Sequence, residues 1–412
     1  MSRRPTPARI LYLDNSFTFG GAITSLSHMI RGLDRERYKP IIVSGQPSPY
    51  LEELFSDAVV RTVSLKLPWV HNRIYRAAIS TPGLRDGIGR SVVSQMRTAY
   101  WLLRHDLPRA FRYARMARRD EAALLHANNN VESQFPELLA ARMAGRPAVV
   151  HNRSFQRPGR GLRRLLPLVD HHLAISTAIR DNLLELGARP EKISVVHDGV
   201  DIDAFRSAAR PEVVREEFGI REDDILFGIF GRVTRWKGTM EFVQAAVGVL
   251  EQVPRARAFI VGDASDRTEA YFQAVDEFVR QSGLGDRIIL TGYRDDVPSL
   301  MALMDVVVHA SVDPEPFGMV LIEAMALRKP VVATRGGGPD DIVVEDETGL
   351  LVAPGSSAEL REAILHLLRD APRRERMGGK GLERARSRFS SERYADDVMS
   401  IYDRVLRERG YR

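Results

Sequence analysis

The apolar positions of this chain fall into short unbroken runs separated by stretches of helical period, and the pattern repeats from end to end. Arg9 to Asp14, residues 39–44 and 59–65, Ala122 to Ala127, Pro147 to Val150, His172 to Ser176 and Ile193 to His197 read as strands. The stretch ending at Leu33 and residues 132–144 and 177–187 carry the helical period between them. Unbroken apolar runs suit strands buried on both faces of a parallel sheet. The alternation pauses over 199–212, where Pro211 and small residues interrupt it, and a linker is expected there. It then resumes with Ile225 to Phe230, Arg257 to Val261, Ile288 to Thr291, Val306 to Ala310 and Pro330 to Ala333. Helices are predicted over 357–388 and from residue 391 onward. Strands alternating with helices predict the α/β class, and 412 residues exceed one typical domain, so two α/β domains follow.

Residues 70–120 break this rhythm. Arg73, Arg76, Arg85, Arg90, Arg97, Arg104, Arg109, Arg112, Arg115, Arg118 and Arg119 alternate there with Tyr100, Trp101, Phe111 and Tyr113, and Pro108 is expected to separate two helices. Such helices either lie on a membrane interface or pack an apolar face on the core and leave arginine in water. The charge is lopsided in the same direction. Residues 1–200 hold 30 basic against 17 acidic side chains, a balance of +13, and the remainder holds 30 against 37, a balance of −7. A basic half attracts nucleic acid, an anionic membrane or an anionic acceptor, yet no nucleic-acid-binding motif accompanies it. The chain has no cysteine, which excludes disulfides and thiolate metal sites and suits a reducing cytoplasm. Met1 to Ala8 lacks the apolar region of a signal peptide, and no uncharged stretch reaches membrane-spanning length. A cytoplasmic protein is expected, peripheral on the inner membrane face if the basic segment engages lipid.

Candidate chemistry gathers where strands end. Gly20 and Gly21 precede the first predicted helix and permit close backbone approach to a ligand, without the Gly-x-Gly-x-x-Gly of a dinucleotide site. His126, Asn128, His151, Asn152 and Arg153 end two further strands, where ligands collect in open α/β sheets. In the second half, Gly231-Arg232 and Lys237-Gly238 follow a strand, with Gly262-Asp263 and Gly292-Tyr293-Arg294 at the ends of two more. The most informative stretch runs from Glu315 through Pro316, Phe317, Gly318, Met319 and Val320 to Glu323. It reads as strand, loop and helix, whose first N–H groups are aimed where an anion would sit, with a carboxylate on each side to accept from sugar hydroxyls.

At these residues the chain resembles the retaining, nucleotide-sugar-dependent glycosyltransferases of the GT-B fold, most closely glycosyltransferase family 4. Glu315 and Glu323 match that family's Glu-x7-Glu signature, Gly231-Arg232 with Lys237-Gly238 its basic signature, and Gly336-Gly337-Gly338 its donor-side glycine loop. His126-Ala127-Asn128 keeps one histidine where relatives often carry His-x-His, and Asp340-Asp341 stands where Glu is commoner. The resemblance implies two Rossmann-like domains facing a deep cleft: residues 1–200 for the acceptor, 201–390 for the donor, and a helix over 391–412 returning to the first domain. It implies no cofactor and no metal, because Arg232 and Lys237 would stabilise the leaving diphosphate. Glu315 would bind the donor sugar and Glu323 the ribose. Gly20, Gly21, Gly262, Asp263, Tyr293, Arg294 and the 317–320 backbone would line the donor site. His126, Asn128, Asn152 and Arg153 would meet the acceptor, with His151 a candidate to orient its hydroxyl. The expected acceptor is a glycan, a glycolipid or a lipid-linked sugar of envelope or exopolysaccharide synthesis, and the alternative is a soluble sugar phosphate or small molecule.

Overall fold

The computed structural model describes residues 6–15, 21–45, 49–56, 58–63, 99–264 and 268–411. Gly20 and the basic segment up to residue 98 lie outside the described residues. The chain divides into two compact units, one of Met1–Ala174, Asn182–Ser194 and Val398–Arg412, the other of Ile175–Asp181 and Val195–Asp397.

The first unit is built on a seven-stranded sheet ordered β3-β2-β1-β4-β5-β6-β7. Its strands are β1 (Ala8–Asp14), β2 (Tyr38–Ser44), β3 (Val59–Thr62), β4 (Leu124–Ala127), β5 (Ala148–Asn152), β6 (His171–Ala174) and β7 (Ile193–Val195). Pairings from β3 through β6 are parallel. The order reverses between β1 and β4, which is where a doubly wound sheet opens a crevice at the carboxyl ends of its strands. In β1, Ile10 to Leu13 are all buried, as a strand covered on both faces requires.

The second unit repeats the plan with β8 (Ile225–Phe230), β9 (Ala256–Val261), β10 (Ile288–Gly292), β11 (Val306–His309), β12 (Val331–Thr334) and β13 (Gly349–Val352). Their order is β10-β9-β8-β11-β12-β13, all parallel, with the reversal between β8 and β11. Phe227 on β8 meets Phe242 edge-on at 5.8 Å, fastening the sheet to helix Thr239–Gln252. Burying each such ring contributes about 2–3 kcal/mol.

Several local expectations change. The linker carries helix Ile202–Ser207, because the Asp201 side chain accepts from the Ala204 N–H and caps it, worth about 1 kcal/mol. Pro108 separates nothing: it sits in the first turn of helix Leu107–Arg119, where no amide hydrogen is needed, and the preceding turn widens to a π-helical Leu102–Asp106. Helices form over 357–388 as expected, two of them, Ser357–Leu368 and Ala371–Arg388, the second capped by Asp370. Residues 132–144 open as a short 3-10 turn before helix Phe135–Ala144. In the first unit, Asp403 from the second half of helix Ser391–Glu408 accepts from Arg37 and Tyr38, at 2.5 Å each. Among the described residues no helix is long and apolar enough to cross a membrane.

Candidate active site

The carboxyl ends of β8 and β11 carry the densest polar cluster of the second unit. After β8 the chain turns through Gly231 and an exposed Arg232, and Val233 N–H bonds to the Asp263 carbonyl at 3.0 Å. A 3-10 turn, Arg235–Lys237, then leads to Gly238 at φ +69°. A Cβ at Gly238 would lie 1.8 Å from the Ala310 carbonyl, so only glycine lets this loop lie against the end of β11. That approach brings Lys237 Nζ to 2.5 Å from Glu315 Oε2, with the ammonium also 4.1 Å from the centre of the Trp236 ring.

Glu315 is 6% exposed and is the hub. Its Oε2 takes a hydrogen bond from Ser311 Oγ at 2.9 Å and lies 3.0 Å from His309 Nε2. Thr334 Oγ1 donates to the Ser311 carbonyl at 2.8 Å and completes the buried group. Burial alone would push the Glu315 carboxyl up. The hydrogen bond from His309 and the charge of Lys237 outweigh it and hold the group down at about 2. Its backbone is clamped as well, since Glu315 N–H bonds to Gly336 O at 3.0 Å and Gly338 N–H to Glu315 O at 2.8 Å. A Cβ at Gly337, whose φ is +104°, would stand 2.0 Å from that same Glu315 carbonyl.

Gly318, at φ +106°, then turns the chain into helix Met319–Ala326. The first internal bond at its start runs from Leu321 N–H to Gly318 O, leaving the Met319 and Val320 N–H groups ahead of it. The Phe317 side chain is core: its ring stacks 6.0 Å from His197, whose Nε2 lies 3.2 Å from Asp341 Oδ2. Asp341 also accepts from Thr177 N–H at 2.6 Å, so the acidic pair after the glycine loop has a local use. Glu323 is half-buried, and its carboxylate has no hydrogen-bond or ion-pair partner among the described residues. Desolvation therefore pushes it up to about 7. Two carboxylates eight residues apart thus have opposite electrostatics.

The remaining donor-side candidates separate by surroundings. Gly262 packs where a Cβ would meet the Gly231 carbonyl at 2.0 Å, and Asp263 is exposed. The Tyr293 ring is 79% exposed and free to stack. Arg294 is committed elsewhere: its guanidinium makes two 2.7 Å bonds to Glu217 and two 2.8 Å bonds to Asp296. A small cavity at the strand reversal is lined by Gly231, Arg232, Lys237, Thr239, His309 and Ser311.

In the first unit the expected acceptor residues lie at strand ends but inside the fold. Asn128 Nδ2 donates to Asp14 Oδ1 at 3.1 Å and to the Ala22 carbonyl, and its Oδ1 receives Arg153 Nε at 2.9 Å. Arg153 also reaches Ser25 Oγ at 3.1 Å. Asn152 bonds to the Val150 and Leu173 carbonyls and to Gln156. His126 and His151 are fully buried, their rings 5.5 Å apart, and His126 Nδ1 lies 2.5 Å from Tyr402 Oη. Burial and then the charge of Arg153 lower His126 to about 3 and lower His151 as well. Gly21 opens helix Gly21–Arg31 and is exposed. Sequence reasoning missed His309, Ser311 and Thr334; the available signal was a histidine closing the apolar strand just ahead of Pro314 and Pro316.

Two doubly wound units, one with a cationic strand end against a helix start, define a GT-B glycosyltransferase. The chain belongs to the group 1, family 4 glycosyltransferases: the Glycosyl transferases group 1 model matches residues 212–384 and the Glycosyltransferase Family 4 model residues 19–204. Among relatives, the N-acetyl-alpha-D-glucosaminyl L-malate synthase of Bacillus anthracis is 26% identical over 74% of this chain and 80% of its own length. The lipopolysaccharide core mannosyltransferase LpsB of Rhizobium meliloti is 30% identical over 52% of this chain, a match that spans 61% of that protein. Among solved structures, Anabaena HepE in complex with UDP and glucose aligns with a TM-score of 0.77 at 25% identity, covering 96% of this chain and 99% of that one.

Proposed function

We propose that the protein transfers a sugar, with retention at the anomeric carbon and without a metal, from a nucleotide diphosphate sugar to a hydroxyl of a glycan or lipid-linked acceptor. The observation that carries this reading is the Lys237–Glu315–His309 cluster beside Arg232, set against the start of helix Met319–Ala326. The bond between the anomeric carbon and the diphosphate oxygen breaks with its electron pair going to that oxygen. Arg232 and Lys237 stabilise the charge that develops there. The acceptor oxygen attacks the same face, and its proton passes to the departing phosphate. Glu315, ionised at neutral pH, accepts from donor-sugar hydroxyls, and Glu323 accepts from the ribose. Tyr293 offers the base an open ring face. The HepE structure in complex with UDP and glucose favours a uridine donor over a guanosine one.

The test is transfer and donor hydrolysis with a panel of UDP- and GDP-sugars, each run with excess chelator. One donor should support turnover undiminished by chelator. Turnover abolished by chelator and restored by Mg²⁺ or Mn²⁺ would reject metal independence, and no turnover with any donor would reject the transferase reading.

The acceptor reading includes attachment at an anionic lipid surface. Tyr100, Leu103, Leu107 and Phe111 are exposed at helical spacing, and Arg104, Arg112, Arg115 and Arg118 are exposed among them. An apolar stripe between arginines is the composition of an interfacial helix.

A further inference from the structure

The first unit holds a second cavity, of about 450 Å³, that the transfer chemistry does not use. Its walls are Leu166 and Pro167 before β6, His172 near the start of β6, and the connection from Glu185 to Lys192 that leads into β7. These are the amino-terminal ends of the strands, whereas the expected ligand sites of a doubly wound sheet lie at the carboxyl ends. The volume falls within the range of small-molecule sites.

Three cations stand around it, Arg163, Arg189 and Lys192, against one carboxylate, Glu185. Among the described residues neither Arg163 nor Lys192 pairs with a carboxylate, and Arg189 meets Glu191 only at 3.7 Å. The buried wall is His172, 1% exposed. Its Nδ1 is shielded from the cavity as well as from bulk solvent, so the ring forms an apolar floor to the site. Burial, with the charge of Lys192 among its neighbours, lowers this imidazole to about 3, so it is neutral at physiological pH. The surplus of guanidinium and ammonium selects an anion, and guanidinium matches phosphate bidentately. Glu185 repels a bare anion but accepts from hydroxyls.

We propose that this cavity binds a small phosphorylated polyol, its phosphate held by Arg163, Arg189 and Lys192 and its hydroxyls by Glu185.

Calorimetric titration of the full chain with glucose 1-phosphate, inorganic phosphate and glucose tests it. Glucose 1-phosphate should bind, inorganic phosphate more weakly, and glucose not at all. Arg163→Gln with Lys192→Gln, two changes outside the core, should weaken glucose 1-phosphate by about tenfold or more and leave donor turnover unchanged. Arg232→Ala with Lys237→Ala should keep the binding while losing turnover, which separates this site from the donor site. Three results overturn the proposal: no binding by the native chain at millimolar ligand, undiminished binding by the Arg163/Lys192 variant, or loss of binding in the Arg232/Lys237 variant. Inorganic phosphate binding as tightly as glucose 1-phosphate would overturn the polyol assignment.

Discussion

The two units share one strand plan yet equip their strand ends differently. At the reversal between β8 and β11 the second unit places a carboxylate, an ammonium, an imidazole and two hydroxyls in one buried group, with Arg232 exposed beside it. At the reversal between β1 and β4 the first unit places an amide lattice around Arg153 and Asn128, and two histidines that burial keeps neutral. In the proposed reaction the second arrangement meets the charge that develops, whereas Asn128, Asn152 and Arg153 of the first bond within the fold. Catalytic load on this reading lies in the second unit, and the strand ends of the first shape and hold.

The largest effect that can break this contrast comes from removing charge. Lys237→Ala and Arg232→Ala should each lower turnover about 100-fold, roughly 3 kcal/mol of lost transition-state stabilisation. His126→Asn and His151→Asn should cost far less in turnover per folded molecule. Parallel kinetics on the four variants, with folding checked by circular dichroism, decide it. A histidine variant as damaged as Lys237→Ala, in a folded chain, would move catalysis into the first unit. A correctly folded Arg232/Lys237 double variant with near-normal turnover would remove it from the second.

A smaller effect sharpens the contrast inside the second unit. Glu323 is raised from its ordinary value to about 7. Between about pH 4.5 and 7 the folded chain therefore keeps a proton that the unfolded chain has released, and stability falls as pH rises through that window. Glu323→Gln should stabilise the fold above pH 7 by at most about 3 kcal/mol, read as a higher melting temperature, with the gain vanishing near pH 4. Glu315 has the opposite sign: held at about 2, it contributes stability above its ordinary carboxylate value and loses it as pH falls toward 2. Glu315→Gln should destabilise at pH 7. Thermal unfolding of both variants at pH 5 and pH 8 measures the pair. Equal shifts of one sign for both would defeat the distinction.

The difference between the units also explains how far the sequence could be read. Strand positions were legible in both halves, because unbroken apolar runs such as Ile10–Leu13 and Val306–Val308 have few other uses. In the second unit the loops around the candidate site were legible too. Gly238, Gly262, Gly318 and Gly337 sit at positive φ, and at Gly238, Gly262 and Gly337 a side chain would strike backbone, so glycine spacing there encodes tertiary contact. The Arg294 side chain was not legible, since its partner Glu217, which takes both of its terminal nitrogens, lies far off in sequence. The histidines of the first unit were ambiguous for a related reason: burial depends on Tyr402, some 276 residues from His126, and no local pattern announces it.

The smallest effect concerns the exposed face of the first unit. Leu103 and Phe111 are 66% and 58% exposed on the arginine-rich helical stretch, an arrangement that costs apolar hydration unless something covers it. An anionic leaflet would supply roughly 1 kcal/mol for each arginine near its surface, and Arg104, Arg112, Arg115 and Arg118 are exposed there. Four such contacts with two apolar insertions give reversible attachment, not anchoring. Co-sedimentation with vesicles containing anionic lipid should therefore appear at low salt and fade as salt screens it. Leu103→Ser with Phe111→Ser should weaken it several-fold without touching donor hydrolysis, because neither residue is among the donor-side groups. Binding that ignores both salt and the paired serine change would mean another surface is responsible. No sedimentation at any lipid composition would leave a soluble acceptor as the better partner for the basic half.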